Sequence, residues 1–121
     1  MEDLKIIREK WMQAYLSADV ETLQLIELPS FVAISEYGIE DNASRYQMIK
    51  TKKESGNWFR PAAKEVDIEI SYIPNGQTCQ VIGTGKIIAN SKTIRHSHYS
   101  ELWFNTDNGW KAQSLHVSQA E

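Results

Sequence analysis

The chain has 121 residues, of which 41% are hydrophobic and 24% are charged, and its formal net charge at pH 7 is -3. This composition is typical of one globular domain, which we expect to span residues 1–121, and the negative charge argues against nucleic acid as a partner. The sequence lacks both a signal-like N-terminus and an apolar run of about 18 residues, so we expect a cytoplasmic protein that does not bind membranes.

The first 35 residues predict two helices and a strand. Asp19 is expected to cap a second, shorter helix over residues 20–27, which Pro29 would end. Residues 30–35 are short, apolar and β-branched enough for a strand, with its turn at Tyr37-Gly38. The first helix is predicted because its apolar residues recur at the spacing of one helix face, namely Leu4, Ile7, Trp11, Ala14, Tyr15 and Ala18.

A third helix is predicted to begin with Asp41 or Asn42 as its cap and to end by Gly56. Trp58 and Phe59 follow it. Two large aromatic residues in a connection either cover the core or form part of a cavity wall.

The remaining sequence predicts four long antiparallel strands. The clearest covers residues 65–72, where strict alternation places Val66, Ile68, Ile70 and Tyr72 on one face and leaves Glu65, Asp67 and Glu69 as the solvated face. The next strand follows a turn and runs over about residues 77–89. It contains Cys79, which we expect to be buried or half-buried, and its Gly83 and Gly85 share a face that could allow a bulge or the close approach of a helix.

The last quarter of the chain, residues 98–118, predicts a long β-hairpin. Asp107-Asn108-Gly109 fits a three-residue loop with glycine in the left-handed region, so that Thr106 would pair with Trp110. One face then carries Arg95, Ser97, Tyr99, Glu101, Trp103, Lys111, Gln113, Leu115 and Val117, and the other carries His96, His98 and His116. A change of one residue in loop length would reassign one strand relative to the other.

Because the helices precede the long strands, the fold class is expected to be α+β, with N-terminal helices packed into a curved, mainly antiparallel sheet. The order of elements from Trp11 through Gly38 resembles the opening of the nuclear-transport-factor-2-like, or SnoaL-like, superfamily, a cone-shaped barrel of the cystatin-like type. Trp103, Trp110 and residues 114–118 are similar to the C-terminal hairpin of the association (hub) domain of calcium/calmodulin-dependent protein kinase II and its bacterial relatives.

The resemblance implies a pocket between the helices and the concave face of the sheet, and assembly into dimers or larger rings. Two arginines on the last two strands line the hub's pocket, and the matching positions here are Glu101 and Val117, which argues against carboxylate binding of the hub type. The superfamily includes isomerases, dehydratases and polyketide cyclases as well as binding domains without catalysis, so the fold alone does not settle the function.

The resemblance favours the face with Tyr99, Glu101 and Leu115 as the pocket side. A carboxyl such as Glu101 in an apolar pocket would suit proton transfer; the alternative is a carboxylate paired with Arg95 or Lys111 near the rim. The expected ligand-binding residues are Trp11, Tyr15, Trp58, Tyr99, Glu101, Trp103, Leu115 and Val117, although large aromatics also serve as ordinary core.

The three histidines share the opposite face, where surface or interface roles are expected. No carboxylate or cysteine completes a metal shell around them in the sequence pattern, so we expect neither a metal nor a cofactor.

Three functional hypotheses follow. The first is a small-molecule-binding, self-associating domain with an aromatic-lined pocket and no catalysis, forming a homodimer or a larger homo-oligomer. The second is an isomerase or dehydratase acting on a small apolar carbonyl or cyclic compound by general acid/base catalysis, with Glu101 or His116 as the weak candidates for the base. The third is a pure assembly module with a fully packed interior.

Overall fold

A computed structural model describes residues 1–120 of the chain. Three helices and six strands follow one another as α1 (Glu2–Leu16), α2 (Val20–Ile26), β1 (Glu27–Ser35), β2 (Gly38–Asp41), α3 (Asn42–Glu54), β3 (Lys64–Asn75), β4 (Thr78–Ala89), β5 (Lys92–Thr106) and β6 (Gly109–Gln119). Within residues 1–120, no helix is both long enough and apolar enough to cross a membrane.

The helix caps lie where short acidic side chains predict them. The Asp19 carboxylate accepts a hydrogen bond from the Thr22 backbone N–H at 3.2 Å, and the Asp41 carboxylate accepts one from the Ser44 N–H at 2.9 Å. Each bond satisfies a backbone donor that the first helical turn leaves free. The prediction that Pro29 ends α2 is wrong, since α2 stops at Ile26 and Pro29 lies within β1.

The strands form one sheet in the order β2-β1-β6-β5-β4-β3. Neighbouring strands are antiparallel except β1 and β6, which run parallel and lie far apart in the chain. The sheet is mixed and remains open, with β2 and β3 at its edges. The α+β class is confirmed.

An irregularity in β3 reverses the side-chain alternation on which its prediction depended. Asp67 pairs with Gly85, but Glu69 pairs with Thr84, so one extra residue lies between the two pairs. A bulge of this kind moves every later side chain to the other face. Glu65 and Asp67 are consequently partly buried, while Val66 and Ile68 are 40% and 51% exposed. The prediction that Glu65 and Asp67 belong to the solvated face is wrong.

Two glycines of β4 make room beside this bulge. A Cβ atom at Gly83 would overlap the Glu69 carbonyl oxygen and the Tyr99 hydroxyl, and one at Gly85 would lie 3.3 Å from the Tyr99 ring. The missing side chains therefore let Tyr99 of β5 lie close against β4, whereas the approach predicted from the sequence was that of a helix.

The final hairpin differs from its predicted register only near the loop. Thr106 pairs with Gly109, whose φ is +97°, so the predicted pairing of Thr106 with Trp110 is wrong by one residue. A second irregularity between Leu102 and Trp103 compensates for this shift. Beyond it Glu101 pairs with Leu115 and Tyr99 with Val117, as the sequence predicts.

The core lies between the helices and one face of the sheet. Fully or almost fully buried side chains from every layer meet there, including Leu4, Trp11, Leu23, Phe31, Ile49, Val81, Trp103 and Ala112. Cys79 is also fully buried, as expected, and burial raises the pKa of its thiol.

Candidate functional site

A cavity of about 1140 Å³ extends between the helices and the inward face of the sheet. Its lining comes from α1, α3, the connection after α3 and all six strands, and includes Trp11, Tyr15, Trp58, Phe59, Glu65, Ile87, Tyr99, Glu101, Leu115 and Val117. The helices and the sheet thus enclose a space that the core side chains do not fill.

Tyr15, Trp58 and Phe59 form an aromatic wall of this cavity. Their ring centres lie 5.2 Å apart for Tyr15 and Trp58, 5.2 Å for Trp58 and Phe59, and 5.8 Å for Tyr15 and Phe59. The Trp58 indole N–H donates to the Tyr15 carbonyl oxygen at 3.0 Å, which anchors the connection after α3 to α1. The two aromatics that follow α3 therefore line the cavity.

Tyr99 and Glu101 form part of the floor of the cavity, and both contact a buried arginine. Arg8 of α1 is 2% exposed, and its Nε and Nη2 atoms donate to the Glu101 carboxylate at 2.8 and 2.9 Å. Its Nη1 and Nη2 atoms donate to Asp67 at 3.0 and 3.3 Å. Charge-assisted bonds of this two-pronged kind fix both partners in place.

Two aromatic side chains complete this cluster. The Trp103 indole N–H donates to Glu101 Oε1 at 2.9 Å, and the Tyr99 hydroxyl donates to Asp67 Oδ1 at 2.6 Å. Burial and the bond to Asp67 raise the pKa of Tyr99, so this hydroxyl stays protonated. We call Arg8, Asp67, Tyr99, Glu101 and Trp103 the Arg8 cluster.

The Arg8 cluster distinguishes between the two roles expected for Glu101, which were proton transfer and ion pairing. Its carboxylate is 3% exposed and paired, but its partner is Arg8 rather than Arg95 or Lys111. Each Glu101 oxygen already accepts a bond from Arg8, so proton transfer by Glu101 is disfavoured. The sequence does carry a signal for Arg8, because it lies four residues after Leu4 and three before Trp11, within the buried stripe of α1.

Glu65 also lies in the cavity wall, but it does not belong to the Arg8 cluster. It pairs with Ile87 of β4, which pairs with Arg95 of β5, so these three residues stand side by side across the sheet. Ile87 is 5% exposed and packs with the apolar cluster that includes Phe59 and Tyr15. Burial raises the pKa of Glu65 to about 7, although the positive charge of Arg8 opposes the increase.

A second buried carboxylate, Glu27 at the start of β1, joins three elements. It accepts hydrogen bonds from the Trp11 indole at 2.7 Å, from Arg45 Nη1 at 2.8 and 2.7 Å, and from the Tyr46 hydroxyl at 2.7 Å. The Arg45 guanidinium also lies 5.7 Å from the Tyr15 ring centre. We call Trp11, Glu27, Arg45 and Tyr46 the Glu27 cluster, which sequence reasoning missed. It holds Trp11 and Tyr15 in position in the cavity wall.

The cavity brings together seven of the eight predicted ligand-binding residues. The eighth, Trp103, is fully buried in the core, where it supports the floor through Glu101. The seven that line the cavity are Trp11, Tyr15, Trp58, Tyr99, Glu101, Leu115 and Val117.

Two of the three histidines mark the opposite face of the sheet, whereas His96 is among the residues that line the cavity, contrary to the prediction. His116 is exposed in an outer groove of about 410 Å³ that also includes Ile73, Gln80 and Leu102. The His98 ring contacts the Thr84 hydroxyl at 2.9 Å. His116 is therefore poorly placed to act as a base in the cavity. Among residues 1–120, no group of three histidine, cysteine, aspartate or glutamate side chains is arranged to hold a metal ion.

Several solved structures share this architecture. An NTF2-like protein from Cytophaga hutchinsonii is 16% identical with a TM-score of 0.76, and the alignment covers 97% of this chain and 95% of that one. The S. rosetta CaMKII hub is 16% identical with a TM-score of 0.78, covering 98% and 95%. The chain has the NTF2-like, cystatin-like fold.

A proposed dehydratase of the NTF2-like family from Streptomyces avermitilis also has this fold, with 14% identity, a TM-score of 0.79 and coverage of 99% and 95%. No protein-family profile matches the sequence, and no curated protein matches it. The resemblance drawn from the sequence is confirmed at the level of the fold, and identities this low carry no function with them.

Proposed function

We propose that the protein binds a small, largely apolar molecule in the cavity. The observation that carries this proposal is a space of about 1140 Å³ bounded by the aromatic wall and a small number of polar groups. Ligand pockets typically have volumes of about 300–1,000 Å³, apolar walls and a few positioned polar groups. An interior this open argues against a pure assembly module with a packed core.

The test uses 8-anilinonaphthalene-1-sulfonate, a dye whose fluorescence increases in apolar cavities. Trp58→Ala is expected to weaken dye binding about tenfold, because loss of one aromatic contact costs about 1–1.5 kcal/mol. Trp110→Ala is the matched control, since Trp110 is also partly buried but packs near the hairpin loop. Equal dye affinity in the wild type and both variants would count against the cavity as the binding site.

We also propose that the protein self-associates through the outer face of its sheet. Ile73 and Ile82 are 45% and 37% exposed there, beside the groove that contains Leu102. Exposed apolar side chains on a broad sheet face favour burial against a second copy, and one structural neighbour is a kinase hub.

Sedimentation velocity tests this part of the proposal. The wild type is expected to sediment as a dimer or larger oligomer, and Ile82→Glu is expected to weaken association at least about tenfold, because it places a charge in the interface. Leu25→Glu, at a 70% exposed position on α2, should leave the oligomeric state unchanged. A wild-type monomer at micromolar concentrations would refute self-association.

A second candidate function is an isomerase or dehydratase acting on a small apolar carbonyl or cyclic compound by general acid/base catalysis. The observation that favours it is a carboxyl in the cavity wall, Glu65, whose pKa of about 7 suits proton transfer near neutral pH. A ligand that co-purifies and returns unchanged after incubation would favour binding alone.

A further inference from the structure

We propose that Glu65 is the general base of the cavity and removes a proton from a carbon acid held against the aromatic wall. The inference rests on the proposed function, because a base in the cavity needs a small molecule bound there. The substrate class is a compact aromatic or cyclic molecule with a C–H bond acidified by a neighbouring electron-withdrawing group.

Competition among the three carboxyls around Arg8 supports this assignment. Arg8 donates through Nε and both terminal nitrogens, and each of these donors is directed at Glu101 or Asp67. The pKa of Glu65 is set by burial and by the charges of nearby groups, and no hydrogen-bond donor in the described part of the chain acts on its carboxyl. Of the three carboxyls, Glu65 is therefore the one whose lone pairs are not committed to a donor within residues 1–120.

The position of Glu65 also fits the role. Its neighbour across the strand, Ile87, packs against Leu16 and Phe59, so the carboxyl borders the apolar part of the cavity. A carboxylate that has lost much of its hydration is a stronger base than one in water. The charged groups that act on it are Arg8 from α1, Asp67 from its own strand, and Glu101 and Arg95 from β5.

The proton and electron balance is simple. The Glu65 carboxylate takes the proton, and the C–H electron pair moves into the substrate, either onto a conjugated carbonyl oxygen or into a new double bond that expels a leaving group. The protonated Glu65 then returns the proton to another carbon, which completes an isomerisation, or to a departing hydroxide, which completes a dehydration as water. Glu65 ends each cycle in its starting state.

A generic carbon acid tests the base without knowledge of the natural substrate. In 5-nitrobenzisoxazole, removal of the ring C–H proton breaks the N–O bond and releases a coloured cyanophenolate. Wild-type protein is expected to accelerate this opening, and Glu65→Gln to lower the protein-dependent rate at least about tenfold. Glu69→Gln, an exposed carboxyl on the same strand, is the matched control and should retain the rate. The wild-type rate should increase with pH, with a midpoint near 7.

Binding is measured separately with 5-nitroindazole, an unreactive molecule of the same shape, by following the Trp58 indole N–H signal by NMR. Binding to both the wild type and Glu65→Gln together with equal rates would overturn the inference and leave the proposed function standing. Failure of 5-nitroindazole to shift the Trp58 signal in either protein would overturn the proposed cavity and the inference with it.

Thermal stability gives a readout independent of any ligand. The folded-state pKa of Glu65, about 7, is above its ordinary value of 4.5, so between these values the folded protein holds a proton that the unfolded chain has released. Wild-type stability should therefore decrease as pH rises from about 4.5 to 7. The melting temperature of Glu65→Gln should match the wild type near pH 4.5 and exceed it by several degrees at pH 8. A constant difference across this range would contradict a desolvated Glu65.

Discussion

Replacing Arg8 with methionine is expected to reduce the free energy of unfolding by about 3–5 kcal/mol at pH 7. The guanidinium is 2% exposed and holds two carboxylates, Glu101 and Asp67, through four hydrogen bonds. Methionine fills much of the same volume, so the loss comes mainly from leaving buried negative charge without a cation. Chemical denaturation followed by tryptophan fluorescence measures the change.

Two further variants separate this electrostatic effect from lost packing. Arg60→Met, at an exposed position, should change stability by less than about 0.5 kcal/mol. Adding Glu101→Gln to Arg8→Met should restore part of the lost stability, because it removes the more deeply buried of the two stranded charges. If the double variant is less stable than Arg8→Met, the cluster is not held by charge pairing.

Replacing Glu27 with leucine is expected to cost a similar amount, about 3–5 kcal/mol. The substitution removes the acceptor of four hydrogen bonds and leaves the Arg45 guanidinium, 4% exposed, without its counter-ion. The Trp11 N–H and the Tyr46 hydroxyl lose their acceptor as well, and buried donors without partners add to the cost. Denaturation at pH 7 measures the loss, and near-ultraviolet circular dichroism reports whether Trp11 keeps its packing.

A double variant that removes both charges of the ion pair provides the control. Glu27→Leu combined with Arg45→Met removes both charges and should recover at least about 1–2 kcal/mol relative to Glu27→Leu alone. Glu21→Leu, at an exposed position in α2, should change stability by less than about 0.5 kcal/mol. Equal stability of the single and double variants would contradict a structural role for this ion pair.

The two clusters also bear on the cavity. Tyr99 and Glu101 of the Arg8 cluster form part of its floor, and the Glu27 cluster fixes the α1 side of its wall through Trp11 and Arg45. Buried ion pairs are costly to desolvate, so their value here is geometric. They hold α1 and α3 against the sheet at points where apolar packing alone would favour closing the space. The cavity wall is therefore held by ion pairs that need both partners, because either charge alone would be buried without a counter-ion.

Residues of the final hairpin show how much of the site is readable from sequence. Alternation along β5 and β6 correctly assigns Tyr99, Glu101, Leu115 and Val117 to one face, and that face lines the cavity. The helix stripe likewise places Trp11 and Tyr15 toward the sheet. These assignments succeed because each depends only on a local period of two or 3.6 residues.

Glu65 shows where such reasoning fails. Perfect alternation in residues 65–72 predicts that it points to solvent, but the bulge before Glu69 turns it into the cavity. The only local sign of the bulge is Gly83 on the neighbouring strand, which has space for the Glu69 carbonyl oxygen. A bulge inserts one residue but leaves the alternation of apolar and polar residues in the sequence unchanged. Its position therefore becomes visible only when the pairing of the two strands is known.

By itself, then, the sequence determined the order of helices and strands apart from the short edge strand β2, the α+β class, two helix caps and the inward face of the last hairpin. All of these follow from short-range periodicity and turn chemistry. Only the tertiary structure decided that the Glu101 carboxylate pairs with Arg8 and that the Glu65 carboxyl faces the cavity without a hydrogen-bond donor from the described residues. Arg8 and Glu101 lie 93 residues apart in the chain, and they meet only because β5 is central in the sheet beneath α1. Pairing over such a distance depends on strand register and helix packing, and no local pattern encodes either.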